Sequence, residues 1–433
     1  MSDYDDFTPK QWESYRDPYD ELSLRGAVKT RQSASPSDVL QPDYDSLEKV
    51  AFPTADYDIS QESFEQVELK SAPVAESTRK APFAGPRRPL RLAFIGPPLT
   101  IGGVDQHTRG LAKFFDRDVI RATKYLIVQD HGGRKGDDHD RGLPVQYCDP
   151  SDIPQATKDC DVVLIWGAGF NKWLKGCKAI KVFLAHGESG WTRRCLESSS
   201  QVVDHVVAVS QRVKRQVCDG FPTTVILNGV DAARLASTRA RRDSRARYGF
   251  RDDEFVVGSL GRFTREKRVD LLIETVAQLP ECFKLLVVGY GRRRLELLEL
   301  ANTCLPGRYA LVSADDYLGD YYGCMDAFAL LSAHEGFGLV IPEAMLCSCP
   351  VIATNVGCVP EVIQPNVSGI VVEPDTHSIA AAIRRLHQHP AWAKGIATEA
   401  HEFASRHLHA ARMAREYESL LCQLADRGKA FTR

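Results

Sequence analysis

The sequence predicts an α/β protein with two mostly parallel sheets behind a long disordered tail. Three observations carry this expectation. Short apolar runs alternate with helical patterns from Leu90 to about Leu424. Glycine turns follow several of these runs, at Gly96, Gly261, Gly289 and Gly336. Residues 1 to 88 are rich in Asp, Glu, Ser, Gln and Pro and show no sustained period. Strand–helix alternation of this kind builds a parallel sheet covered on both faces.

At 433 residues, 43% of them hydrophobic, the chain can form two ordinary cores. A formal charge of −2 argues against a dedicated nucleic-acid binder. The 12 cysteines contain no CxxC pair, only the CxC of Cys347 and Cys349, and read as reduced and buried. No apolar run reaches the ~20 residues that span a bilayer. Met1-Ser2-Asp3-Tyr4-Asp5-Asp6 is too acidic for a signal peptide. A cytoplasmic location follows as the expectation.

The tail, residues 1 to 88, buries too little apolar surface to offset chain entropy. It reads either as a passive extension or as a docking or regulatory segment for a protein partner. Ser60 to Lys70 is a stretch that such a partner would fold.

A first domain is expected over residues 89 to 231. Leu90 to Gly96 reads as a strand, followed by a glycine turn containing Gly102-Gly103 and a helix from Val104 to Phe115. This is the layout of a nucleotide-binding unit, although the turn is not GxGxxG. Further strands are expected at Thr123–Val128, Val162–Trp166, Ile180–Leu184, Val206–Val209 and Thr224–Leu227. The segment Asp130 to Arg141, with His131 and His139, reads as a solvated loop rather than a metal site. His186 follows a strand, at the carboxyl edge where such sheets bind ligands. It can donate to a phosphate or a sugar, or cap its loop.

Residues 232 to 251 read as a linker, and Arg239 to Arg247 gives it a basic run. Contact with an acidic membrane surface is one reading of that run. The balanced overall charge favours a solvated helix face.

The second domain is expected over residues 252 to 405. Strand Phe255–Leu260 leads into Gly261-Arg262-Phe263-Thr264-Arg265-Glu266-Lys267 and a helix from Val269 to Leu279. Arg262 and Lys267 suit a diphosphate: arginine offers a planar fork and lysine a compact charge. Strands follow at Lys284–Val288, Tyr309–Val312, Ala327–Leu331, Val351–Ala353 and Gly369–Val372, with the turn Gly289-Tyr290-Gly291 after the first of them. Helical patterns run over Ile379–His387 and Trp392–Leu424.

His334-Glu335-Gly336-Phe337-Gly338-Leu339-Val340-Ile341-Pro342-Glu343 follows the Ala327–Leu331 run and reads as a strand-to-helix turn. Gly336 and Gly338 let the backbone approach a ligand. Pro342 fits the first helical turn. Free amides at such a helix start favour an anion, usually phosphate. Glu335 and Glu343 would be repelled by phosphate, so each is expected to bind hydroxyls.

Glu335-Gly336-Phe337-Gly338-Leu339 through Glu343-Ala344-Met345, with Pro350 to Thr354 and Gly357 to Glu361, resembles the retaining glycosyltransferases of group 1, family 4. The resemblance covers residues 90 to 425. Three departures stand out: Ser348 and Cys358 replace usual glycines, and Asp105 replaces a more frequent glutamate. The loop Ser313–Tyr317 departs most.

The resemblance implies a GT-B fold: two Rossmann-like domains facing a central cleft, with residues 406 to 433 crossing back to the first. It implies transfer of a hexose from a UDP- or GDP-type sugar to a glycan, lipid-linked or small-molecule hydroxyl acceptor, with retention. Glu335, His186, Arg262 and Lys267 would be catalytic. Gly102, Gly103, Arg262, Lys267, Gly336, Phe337, Gly338, Leu339 and Glu343 would bind the donor, Glu343 through its ribose. Glu188 and Trp191 are candidates for the acceptor side. Reaction on one sugar face, helped by the leaving phosphate, would need no metal or other cofactor. The acceptor class allows peripheral contact with the inner face of a membrane. Rival readings are a sugar-nucleotide-binding scaffold without turnover, and a nucleotide-sugar epimerase.

Overall fold

A computed structural model describes residues 88–96, 102–128, 144–167, 171–314 and 317–431. The expectations for residues 1 to 87, and for His131 and His139, lie outside the described residues.

Among the described residues, the first sheet has seven strands in the order β3-β2-β1-β4-β5-β6-β7. They are β1 (Leu90–Gly96), β2 (Ile120–Val128), β3 (Val145–Cys148), β4 (Val162–Ile165), β5 (Ile180–Ala185), β6 (His205–Ala208) and β7 (Thr223–Val225). The second has six, in the order β10-β9-β8-β11-β12-β13. These are β8 (Phe255–Arg262), β9 (Phe283–Tyr290), β10 (Tyr309–Val312), β11 (Ala327–Leu330), β12 (Val351–Ala353) and β13 (Ile370–Val371). Every pairing in both sheets is parallel.

Alternate residues of a strand point to opposite faces. In β1, Leu92 and Phe94 join one apolar cluster while Ala93 and Ile95 join another. In β11, Ala327 and Ala329 join one and Phe328 and Leu330 another. Burial on both faces is why these strands are continuous apolar runs in the sequence. One cluster is shared by the two lobes, running from Ala208, Val209 and Val213 to Phe337, Ile341 and Val359.

The helical pattern Trp392–Leu424 is two helices, Pro390–His407 and Ala410–Phe431. The break has a physical cause. Val230 donates its amide to Leu408 O at 2.8 Å, and its carbonyl accepts from Ala410 N at 2.9 Å. The backbone at 408–410 therefore pairs with the segment leaving the first lobe. A Cβ on Gly229 would lie 2.5 Å from His409 O, so only glycine fits this crossing. Met413, Tyr417 and Leu421 of the last helix then complete the core over Leu92, Leu111 and Tyr125.

The arginine run is exposed for most of its length, as expected of a solvated face, but it is also ion-paired and Arg245 turns inward. Arg239 bonds Asp320 at 3.0 Å and Arg241 bonds Asp326 at 2.5 Å. Arg245 is 2% exposed; it pairs with Asp326 and donates to the carbonyls of Cys324, Arg251, Asp252 and Glu254. The run fastens the linker helix Arg241–Arg247 to the second lobe. Arg242, whose side chain is 85% exposed, lies 3.6 Å from Asp252.

Candidate active site

The site lies at the carboxyl edge of the second sheet. β8 ends at Arg262, beside Tyr290 of β9. Gly289 has φ +153°, and a Cβ there would sit 1.8 Å from Gly261 O. The two strand ends thus approach more closely than any side chain would permit. Phe263 donates its amide to Tyr290 O at 2.7 Å, and a 3-10 turn over Arg265–Lys267 follows. The amide of Ala333 donates to Glu266 O at 2.7 Å, fixing the loop after β11 against that turn.

These ties bring together two residues 68 positions apart. The Lys267 ammonium donates to Glu335 Oε1, which also accepts from Ser332 Oγ at 2.7 Å. Their side chains are 19% and 11% exposed, so the pair is partly desolvated. Gly261, Arg262, Phe263, Lys267 and Leu330 line a small concavity there. Arg262 is exposed at its rim.

Gly336 abuts the first lobe: a Cβ would lie 1.7 Å from His186 O. Gly338 adopts φ +87°, a conformation that favours glycine. Phe337 O accepts from Cys358 N at 3.0 Å. Among the described residues, the amides of Phe337, Gly338 and Leu339 donate to no backbone carbonyl. Across the cleft, Gly102 precedes the Gly103–Phe114 helix. A Cβ on Gly103 would lie 3.6 Å from Leu339 Cδ1, so the two glycine turns face each other. Asp105 is buried and turned to Arg109 at 2.5 Å.

Glu343 sits apart from Glu335, on the helix Val340–Leu346. It is buried; Oε2 accepts from Tyr322 OH at 3.0 Å, and Arg234 Nη1 lies 3.8 Å from Oε1. Burial raises its carboxyl above the usual range, while Arg234 and the Tyr322 hydroxyl oppose that shift.

His186 follows β5. Burial pushes its imidazole down to about 4, so it is neutral at pH 7. Its ring meets His107 edge-on at 4.7 Å, and Nε2 is buried without a hydrogen-bond partner among the described residues. His107 lies 3.1 Å from Tyr417 OH, which places the last helix behind this histidine pair.

Glu188, a candidate for the acceptor side, is ion-paired. It accepts from Arg212 at 2.6 Å and lies 3.0 Å from His334 Nδ1 in the other lobe. Trp191 remains exposed nearby. Sequence reasoning missed the residues that hold the lobes together. Ser210 Oγ donates to Gly336 O at 2.9 Å, Gln211 N to Glu361 at 2.8 Å and Arg212 to Asn355 O at 3.2 Å. Ser210 was legible only as a helix cap, a role it also fills by accepting from Val213 N. The departures also acquire causes. Ser348 has φ +52° just past a helix end, the position where glycine is favoured for its backbone. Cys358 is wholly buried.

Two Rossmann-like lobes, each with its glycine turns at the carboxyl edge of a parallel sheet, define the GT-B architecture of glycosyltransferases. Solved structures share it. An Anabaena protein, Alr3699/HepE, in complex with UDP and glucose, superposes with a TM-score of 0.67 at 22% identity, over 77% of this chain and 100% of that one. Sucrose-phosphate synthase from Thermosynechococcus elongatus gives 0.63 at 21% identity, over 77% and 99%.

Residues 240–403, in the second lobe, match the family model described as glycosyl transferases group 1. The lipopolysaccharide core biosynthesis mannosyltransferase LpsB of Rhizobium meliloti is 28% identical over 250 residues, 54% of this chain and 69% of that protein. The N-acetyl-alpha-D-glucosaminyl L-malate synthase of Bacillus anthracis is 29% identical over 177 residues, 40% and 46%. A D-inositol 3-phosphate glycosyltransferase of Nocardiopsis dassonvillei is 30% identical over 248 residues, 51% and 57%. This chain thus spans about half the length of most of these relatives. No described helix is long and apolar enough to cross a membrane, and no described cluster of His, Cys, Asp and Glu could hold a metal ion.

Proposed function

We propose that this protein transfers a hexose from a nucleoside-diphosphate sugar to a hydroxyl acceptor, with retention at the anomeric carbon. The observation that carries the reading is the partly desolvated Lys267–Glu335 pair beside Arg262, at the rim of the concavity in the family-matched lobe. A cation and a carboxylate side by side suit the junction between a diphosphate and a sugar. Lys267 and Arg262 neutralise the departing diphosphate, where negative charge grows in the transition state. The amides of Phe337, Gly338 and Leu339 add donors to the same oxygens. Glu335, held by Ser332, orients sugar hydroxyls, and Glu343 takes the ribose. Neutral His186 donates to the sugar or the phosphate across the cleft. The names of relatives and the UDP-bound structural neighbour support this donor class.

With cations and amides on the phosphates, the reaction proceeds without a metal ion. One experiment tests this. Turnover with UDP- and GDP-hexoses is measured in EDTA for wild type and Lys267→Ala. Wild type stays active, and the variant loses about 10²-fold or more in kcat, the scale of removing one preorganised charge donor. Activity abolished by EDTA and restored by Mg²⁺, or an undiminished variant, refutes the assignment.

A further inference from the structure

Glu343 uses its two oxygens unequally. Oε2 is taken by Tyr322 OH at 3.0 Å. Tyr322 is itself fixed: its ring is 1% exposed and packs edge-on against Phe328 at 5.6 Å. Among the described residues, Oε1 accepts no hydrogen bond; its nearest cation is Arg234 at 3.8 Å. Arg234 lies on the 3-10 turn Ala232–Leu235, just past Val230, where the chain leaves the first lobe.

That turn is held from both sides. Asp231 caps it by accepting from Ala233 N at 3.2 Å, and binds Lys113 of the first lobe at 2.5 Å. On the other side, a Cβ on Gly319 would sit 2.1 Å from Leu235 O, so the turn rests directly on the Leu318–Cys324 helix that carries Tyr322. Arg234, Tyr322 and Glu343 thus come from three elements fixed against one another.

We infer that Tyr322 and Arg234 are positioning residues for Glu343. Tyr322 occupies one carboxylate oxygen and sets the rotamer; Arg234 holds the charge while leaving Oε1 open to a sugar diol. The inference rests on the proposed reading that Glu343 meets the ribose of the donor. It assigns selection of ribo- over deoxyribonucleotides to this triad, and makes the linker turn part of the donor site. A buried carboxylate with one oxygen tethered presents the other in a single direction, which is what discrimination between a hydroxyl and a hydrogen requires.

The test is a binding cycle by titration calorimetry on the full chain. UDP and GDP are compared with their 2′-deoxy and 3′-deoxy forms for wild type, Tyr322→Phe, Arg234→Ala and Arg234→Lys. Wild type favours the ribo form by about tenfold or more, the scale of one hydrogen bond to a charged group. Tyr322→Phe and Arg234→Ala weaken the ribo form and leave the deoxy form unchanged, so the ratio falls toward one; Arg234→Lys restores part of it. Both truncations keeping the wild-type ratio overturns the inference while the ribose assignment stands. A wild type that binds the diphosphates without discrimination overturns that assignment and the inference with it. A wild type that binds neither diphosphate overturns the proposed function itself.

Discussion

Replacing Gly336 by alanine perturbs the cleft at its tightest point. The added Cβ would lie 1.7 Å from His186 O, 2.7 Å from His186 C and 3.0 Å from Gly187 Cα, against 3.4 Å for ordinary contact. All three atoms are backbone, so no side chain can swing aside. The shortfall is half the required distance, and the loop 334–338 must retreat from the first lobe by more than 1 Å. That retreat stretches the Ser210–Gly336 bond of 2.9 Å and the Glu188–His334 contact of 3.0 Å. Each lost hydrogen bond costs about 0.5–1.5 kcal/mol. Neighbouring Glu335 moves with the loop, and a 1 Å misplacement of a positioning group can cost about 10²-fold in rate. Hydrogen exchange at residues 210–212, with kcat on the proposed donor, reads both effects. Gly395→Ala is the control: its Cβ meets nothing within 4 Å, and in the Pro390–His407 helix it adds about 0.5–1 kcal/mol of stability. If Gly336→Ala leaves exchange and turnover as in wild type, the lobes do not meet at His186 in solution and the geometric argument fails.

Three further outcomes follow from other sites. Ser348→Gly removes a side chain from a left-handed position at φ +52° and should stabilise the protein by about 1 kcal/mol in urea melts. Arg245→Ala strips four carbonyls and Asp326 of a buried donor and should cost about 3–5 kcal/mol, whereas Arg242→Ala, at an 85% exposed side chain, should stay within about 0.5 kcal/mol. His186 falls from 6.5 to about 4 on folding. The native state therefore binds fewer protons than the unfolded chain, and this stability, full above pH 6.5, is lost as pH falls toward 4. Between pH 7 and pH 5, His186→Gln should lose about 2 kcal/mol less than wild type.

The inner strands of both sheets, such as Val162–Ile165 and Ala327–Leu330, were legible because they are buried on both faces. Tyr309–Val312 and Val351–Ala353 stand at the expected bounds, and Ala327–Leu331 differs by one residue. β3 escaped notice: Val145–Cys148 is a four-residue edge strand with Gln146 inside it, too short and mixed to show a period. The ion pairs of the charged linker were hidden for a different reason. Net charge is balanced over the chain, but the carboxylates that neutralise Arg239, Arg241 and Arg245 lie about 80 residues on, at Asp320 and Asp326. Pairing over that separation leaves no local pattern. The same holds at the site. Residue types and spacing picked out Lys267 and Glu335, but not that one would bind the other, nor that Tyr322 and Arg234 would stand behind Glu343. Those partners are set by how strand ends and turns abut, which only the folded backbone reveals.

The paired crossing at Val230 and His409 makes the first lobe discontinuous in sequence. Its sheet is drawn from residues 90 to 225, yet part of its hydrophobic floor is supplied by Met413, Tyr417 and Leu421, encoded after the whole second lobe. A fragment ending at the first crossing would be missing that floor, leaving Leu92, Leu111 and Tyr125 without their cover. As the chain is made from its N-terminus, this lobe must wait for its last helix. Its completion therefore comes after synthesis of the whole second lobe, and the cleft between the lobes can assume its finished form only then.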